Sequence, residues 1–187
     1  YTIYTHAGPE IAVASTKAYT SQVVLLAILG IYMAEILGST DKAVLEDLKQ
    51  EIFELPNKIQ TILNDVSTIK EFAKIVYNEK NMFFIGRGTD YAVSLEGSLK
   101  LKEISYIHSE GYASGELKHG PIALIEDNTT VVSVITNEDL VEKSISNVQE
   151  VITRGAKTFI ITNQDLDKSR FNYVVEIPKI NSLISPA

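Results

Sequence analysis

Hydrophobic positions fall along this chain in short β-branched runs that alternate with longer stretches of helical period. "NMFFI" (81 to 85), "TTVVSVI" (129 to 135), "KTFIIT" (157 to 162) and "YVVEI" (173 to 177) are apolar runs bounded by turn residues, the pattern of buried strands. Between the second and third lies "EDLVEKSISNVQEVITRG", which predicts a helix with Asp139 as N-cap and Gly155 as its stop. Strand, helix, strand is the unit of a parallel sheet, so residues 81–187 are expected to form one doubly wound α/β domain. Residues 39–80 are charged and helical in period, which predicts a helical connector broken at Pro56. The first 38 residues pair a Gly-Pro turn with one long apolar helix and read as the tail of another α/β unit. The chain opens at Tyr1 without a methionine, which suggests a piece of something longer.

The longest apolar run, "VVLLAILGIYMA" (23 to 34), falls short of the roughly 18 residues of a membrane span and is bracketed by Gln22 and Glu35. It is expected to be a buried helix, and no basic segment or cleavage site precedes it. At 187 residues and 45% hydrophobic the chain can bury one good core and part of a second. A net charge of -7, from 24 acidic against 17 basic residues, leaves no electrostatic footprint for nucleic acid or an anionic membrane. The absence of cysteine excludes disulfides, thiolate metal sites and cysteine nucleophiles from this chain and fits a reducing cytoplasm.

Candidate chemistry concentrates after the first predicted strand. In "YAVSLEGSLKLKEISYI" (91 to 107), at 100° per residue with Glu96 at zero, Lys100 falls at about 40° and Glu103 at about -20°. Ala92, Val93, Leu99, Ile104 and Ile107 share that side, while Ser94, Ser98, Lys102 and Ser105 gather opposite, so the charges are expected on a core-facing stripe. An internal ion pair accounts for Glu96 with Lys100 and Lys100 with Glu103. A polar site opening into the interior also accounts for them and is favoured, because pairing alone seldom offsets the desolvation of buried charges. Glu103, at the end of the helix, is the better base candidate. It lies closest to "EGYASGELKHGPIAL" (110 to 124), where residues 109–120 read as a long loop that holds His119 beside the rigid Gly120-Pro121 turn. The bland reading of His119 is an exposed loop histidine, and His6 and His108 are read as structural.

Two other places could hold an anion. "FFIGRGTDYA" joins a strand to a helix opening near Asp90 through Gly86 and Gly88, a geometry that aims backbone N–H groups at a ligand. "AVASTKAYTSQ" sets Ser15, Thr16 and Lys17 at the start of the long helix, with Ser15 as a natural cap. A lysine in a first turn opposes the helix dipole, a conflict that a bound anion there would offset.

The stretches "VASTKAYTSQ" and "GRGTDYAVSLEGSLKLKEISYIHSEGYASGELKHGPIALIE", with their spacing, closely resemble the isomerase part of the glucosamine-6-phosphate synthase family, the glutamine:fructose-6-phosphate aminotransferases. The resemblance covers nearly the whole chain. It implies paired sugar isomerase (SIS) domains, each a flavodoxin-like parallel sheet flanked by helices in three αβα layers. Residues 1–38 would be the tail of a first SIS domain, 39–80 a connector and 81–187 a nearly complete second one. By motif position, the resemblance makes Glu103 the residue that moves a proton between C1 and C2. It makes His119 the ring-opening group, lent by the neighbouring subunit of a homodimer, and Lys100 an assistant in proton transfer. Val13 and Ser15 match substrate-lining positions. Fructose 6-phosphate and glucosamine 6-phosphate would be the ligands, with no cofactor, metal, nucleic acid or membrane, in the cytoplasm.

Departures from the pattern limit what this stretch is expected to do alone. The family's glutaminase half needs a cysteine that this chain lacks, its phosphate-gripping loops fall before Tyr1, and its Schiff-base lysine falls beyond Ala187. The isolated stretch is therefore expected to be inactive. A stand-alone SIS enzyme (an amino-sugar-phosphate deaminase or a deglycase) and a sugar-phosphate-sensing SIS domain of a transcription regulator are the other readings.

Overall fold

All four predicted apolar runs are strands in a computed structural model that describes residues 1–187. They form β1 (Asn81–Gly86), β3 (Thr130–Ile135), β4 (Lys157–Thr162) and β5 (Tyr173–Glu176). The fifth strand, β2 (His108–Ala113), occupies the first half of the stretch expected to be one long loop. The second half is a 3-10 turn, Ser114–His119, followed by another, Pro121–Leu124. Every pairing is parallel and the order is β2-β1-β3-β4-β5, the flavodoxin-like arrangement, in which strands are added to one side of β1 and then to the other, so that the strand order reverses between β1 and β3.

Helix α4 (Thr89–Ser105) and helix α3 (Ser67–Val76) cover one face of the sheet, and α5 (Val141–Thr153) covers the other. On the α5 face, Ile85, Val131, Ile135, Val148, Val151 and Ile160 are fully buried, each contributing about 1.5–3 kcal/mol of transfer free energy. On the opposite face Phe72 of α3 stacks on Phe159 with ring centroids 4.0 Å apart. Asp139 does not cap α5, whose N-cap is Leu140 with no side-chain hydrogen bond. Asn137, not Asp139, accepts a backbone N–H, that of Asp139, to open a short 3-10 turn before Val141. The stop is as expected, with Gly155 at φ 86° and its surroundings closed by Asp127.

Helix α2 (Lys42–Asn64) runs through Pro56, where a break was expected; the interruption falls instead at Asp65 and Val66. Leu45, Leu48 and Leu55 are buried along one stripe of α2, and that packing offsets the backbone hydrogen bond that proline removes. The long apolar helix α1 (Lys17–Leu37) was expected to be buried, yet only Ile31 is, while Leu26, Tyr32, Met33, Ile36 and Leu37 are exposed. Within this chain α1 meets α2 and the C-terminal Ile184 along a single stripe, and a helix apolar on all sides keeps its remaining faces outward. By length and composition alone α1 could cross a membrane. α2 is tied to the C-terminal segment by Lys58 Nζ donating to the Lys179 carbonyl and Asn181 N donating to Glu51, at 2.8 and 2.6 Å.

Candidate active site

α4 meets the sheet through its small polar residues. Asp90, Ser94 and Ser98 are buried, the Ser98 and Ser109 hydroxyls lie 2.9 Å apart, and a Cβ at Gly97 would come within 3.1 Å of the Phe84 ring. That close approach turns the other face outward and overturns the expected core-facing stripe. Ala92, Leu99 and Ile104 are exposed, and Glu96, Lys100 and Glu103 stand half-buried on the outer side of the helix. A serine hydroxyl satisfied by a neighbouring carbonyl can be buried without penalty, which hydropathy does not register.

The three charges nevertheless form one constellation. Lys100 Nζ donates to Glu103 Oε2 at 2.7 Å and lies 3.4 Å from Glu96 Oε1, with each side chain about a quarter exposed. The hydrogen bond to Glu103 is the main cause that raises the Lys100 pKa, so the amine holds its proton. Glu96 and Lys100 border a cavity of about 710 Å³ whose opposite wall is the start of α1, including Ser15, Thr16, Lys17 and Tyr19. The two sequence stretches that carry the family resemblance thus face each other across this space. Tyr19 joins this wall without any signal in the sequence, and Glu96, in the sequence only a partner of Lys100, borders the cavity itself. Burial, reinforced by Glu96, raises the Tyr19 phenol, whereas in sequence it reads as one more apolar position of α1.

The remaining candidates are placed as follows. Ser15 lines the cavity, whereas Val13 is 89% exposed and does not. Ser15 is not the helix cap: the Thr16 N–H donates to the Glu10 carboxylate at 2.8 Å, and Lys17 Nζ donates to the Pro9 carbonyl at 2.6 Å. The anion expected at this first turn is therefore supplied by the chain's own Glu10. His119 ends its 3-10 turn exposed, with its imidazole making no hydrogen bond, and it does not line the cavity with Lys100. His108 opens β2 with Nε2 3.5 Å from Glu110, and His6 lies in the exposed N-terminal segment. No cluster of His, Asp and Glu side chains could hold a metal ion.

The Gly86-Arg87-Gly88 turn opens α4 as expected. A Cβ at Gly86 would lie 2.4 Å from the backbone of Asp90, and Gly88 has φ 58°. In the first turn of α4 the Asp90 carboxylate ties the helix to the end of β3: it accepts from Thr136 N at 2.8 Å, from Thr136 Oγ1 at 2.5 Å and from Asn137 N at 3.4 Å.

Comparison with known proteins places this geometry. The SIS domain model matches residues 75–172. The chain is 52% identical over 188 residues to glutamine–fructose-6-phosphate aminotransferase (isomerizing) of Clostridium perfringens, a match that covers 98% of this chain and 31% of that protein. It is 40% identical to the protein of the same name from Thermococcus kodakarensis, over 99% of this chain and 31% of that one. Among solved structures, the C-terminal domain of glucosamine-fructose-6-phosphate aminotransferase from Francisella tularensis superposes with a TM-score of 0.90 at 36% identity, covering 97% of this chain and 52% of that chain. The chain thus spans about a third of the length of the curated relatives it matches.

Proposed function

This chain belongs to the SIS domain family, and from that premise we propose that it supplies the proton-transfer half of a sugar-phosphate isomerase that turns the C2 imine, formed from fructose 6-phosphate and ammonia with loss of water, into glucosamine 6-phosphate. The reading rests on one observation above all: Lys100, held between Glu96 and Glu103, stands at a cavity walled by the Ser15 end of α1. In the open-chain C2 imine of fructose 6-phosphate, the Glu103 carboxylate takes a proton from C1. The C–H electron pair becomes the C1=C2 bond and the C=N pair goes to nitrogen, which is protonated. Return of the proton to C2, with loss of the C1 hydroxyl proton, gives the amino aldehyde. Lys100, kept charged by its carboxylate neighbours, stabilises the oxygen on C1 as its charge changes.

His119 opens the sugar ring, and because it is exposed and away from the Lys100 cavity of its own chain, it acts in the site of a second copy. Ser15 lines the substrate within the cavity, and Val13, exposed outside it, meets the substrate at its approach. Residues 1–38 are the end of a preceding SIS domain, 39–80 the connector and 81–187 the second SIS domain. The working unit is a cytoplasmic homodimer that engages neither nucleic acid nor membrane. In the full-length polypeptide, Glu103→Gln is expected to lower isomerisation by at least about a hundredfold, the scale of one acid/base group, while sugar phosphate still binds. Near-normal turnover would reduce Glu103 to a structural partner of Lys100.

A further inference from the structure

The segment that carries His119 is held in an unusual way. Between Ser114 and His119 no side chain makes a hydrogen bond within this chain, and the Ser114 hydroxyl is buried without a partner. Leu117, fully buried in the core on the α5 face, anchors the middle of the turn. The other anchor is a cation. The guanidinium of Arg87 lies against Gly115 so closely that a Cβ there would come within 2.9 Å of Nη2 and 3.3 Å of Cζ.

Arg87 is itself fixed at both ends. Its backbone sits between Gly86, which the first turn of α4 approaches too closely for any side chain, and Gly88 at φ 58°. Its head group donates from Nε and Nη2 to Asn147 Oδ1 at 2.9 and 2.7 Å, and Asn147, 4% exposed on α5, donates onward to Glu150 at 3.4 Å. A planar fork held by two bonds to one buried oxygen is a rigid plate, and Gly115 rests on it.

We propose that Arg87 is a positioning residue for His119: the plate formed by its guanidinium and Asn147 sets where the Gly115 turn lies, and so where the imidazole is presented. The proposal rests on the reading of His119 as the ring-opening group. It also explains why a glycine stands at 115 without a left-handed backbone to require it. An added methyl would displace the guanidinium and strain both bonds to Asn147.

The test compares two substrates in the full-length enzyme: fructose 6-phosphate, which must be opened, and 5-deoxyfructose 6-phosphate, which lacks the ring-closing hydroxyl and is always open. Gly115→Ala and Arg87→Ala are expected to lower kcat on fructose 6-phosphate by about tenfold to a hundredfold, the cost of an ångström-scale misplacement, with little change in KM. Both should turn over the 5-deoxy substrate at the wild-type rate, and His119→Ala should show the same contrast more deeply. Equal losses on the two substrates, or no loss on either, from Gly115→Ala and Arg87→Ala overturn the positioning role while leaving His119 intact. If His119→Ala shows no such contrast, the ring-opening assignment fails and this inference falls with it. Gly115→Ala keeps every native side chain, so it carries the test alone should Arg87→Ala fail to fold.

Discussion

At the scale of single residues, buried polar groups decide more than apolar ones. Asp90 is 1% exposed, and its carboxylate satisfies the start of the segment after β3. Asp90→Ala would leave the Thr136 N–H buried and unpaired and is expected to destabilise the domain by about 3 kcal/mol, read from urea unfolding. A loss below about 1 kcal/mol would mean that water replaces the carboxylate. Tyr112 shows a second polar effect: its phenol donates to Glu110, and that hydrogen bond, ahead of burial, pushes its pKa up to about 12 from an ordinary 10.0. The folded state therefore favours the protonated phenol. Its stabilisation is full below about pH 10 and is lost as pH rises through about 12. The unfolding midpoints of wild type and Tyr112→Phe should accordingly lie furthest apart at pH 9 and converge by pH 12, and a constant gap would assign the difference to packing alone.

At the scale of elements, what the sequence made legible depended on whether burial was carried by large apolar side chains. β1, β3, β4 and β5 are dense in Val, Ile and Phe and stand out at once, and the Gly-x-Gly turn before α4 is equally plain. β2 is "HSEGYA", an edge strand with no β-branched residue, chosen for smallness: a Cβ at Gly111 would meet Leu95 at 2.9 Å, and Ser109 is buried against Ser98. The orientation of α4 was lost for the same reason, since Ser94, Ser98 and Gly97 look like a solvent face and are the contact with the sheet. The grouping of Glu96, Lys100 and Glu103 is legible all the same, because i,i+3 and i,i+4 neighbours meet whichever way a helix faces. Pro56 offers an element-scale test. It is exposed in the interior of α2, so Pro56→Ala restores a backbone donor and removes a steric conflict at little packing cost. The expected result is stabilisation by about 1 kcal/mol or more in thermal unfolding, and destabilisation would mean that α2 is bent there for a purpose.

At the scale of the whole molecule, the separation of His119 from the Lys100 cavity is what a shared site requires. Each chain offers a half-buried acid–lysine constellation on the outer side of α4 and, beyond β2, an exposed imidazole on a braced turn. A two-fold pair would place each turn over the partner's Glu103, so that a complete set of groups exists only between copies. In the full-length protein His119→Ala and Glu103→Gln should each be nearly inactive. A dimer of one with the other holds one site in which both native groups meet and one in which both are altered. With random and complete subunit exchange half of the dimers are mixed, and each carries one good site of two, so recovered activity should approach about a quarter of wild type. Exchange verified with differently tagged chains but without recovery would place His119 in the service of its own subunit. Recovery on that scale would fix the dimer as the catalytic unit, because neither variant alone contains a site with both groups.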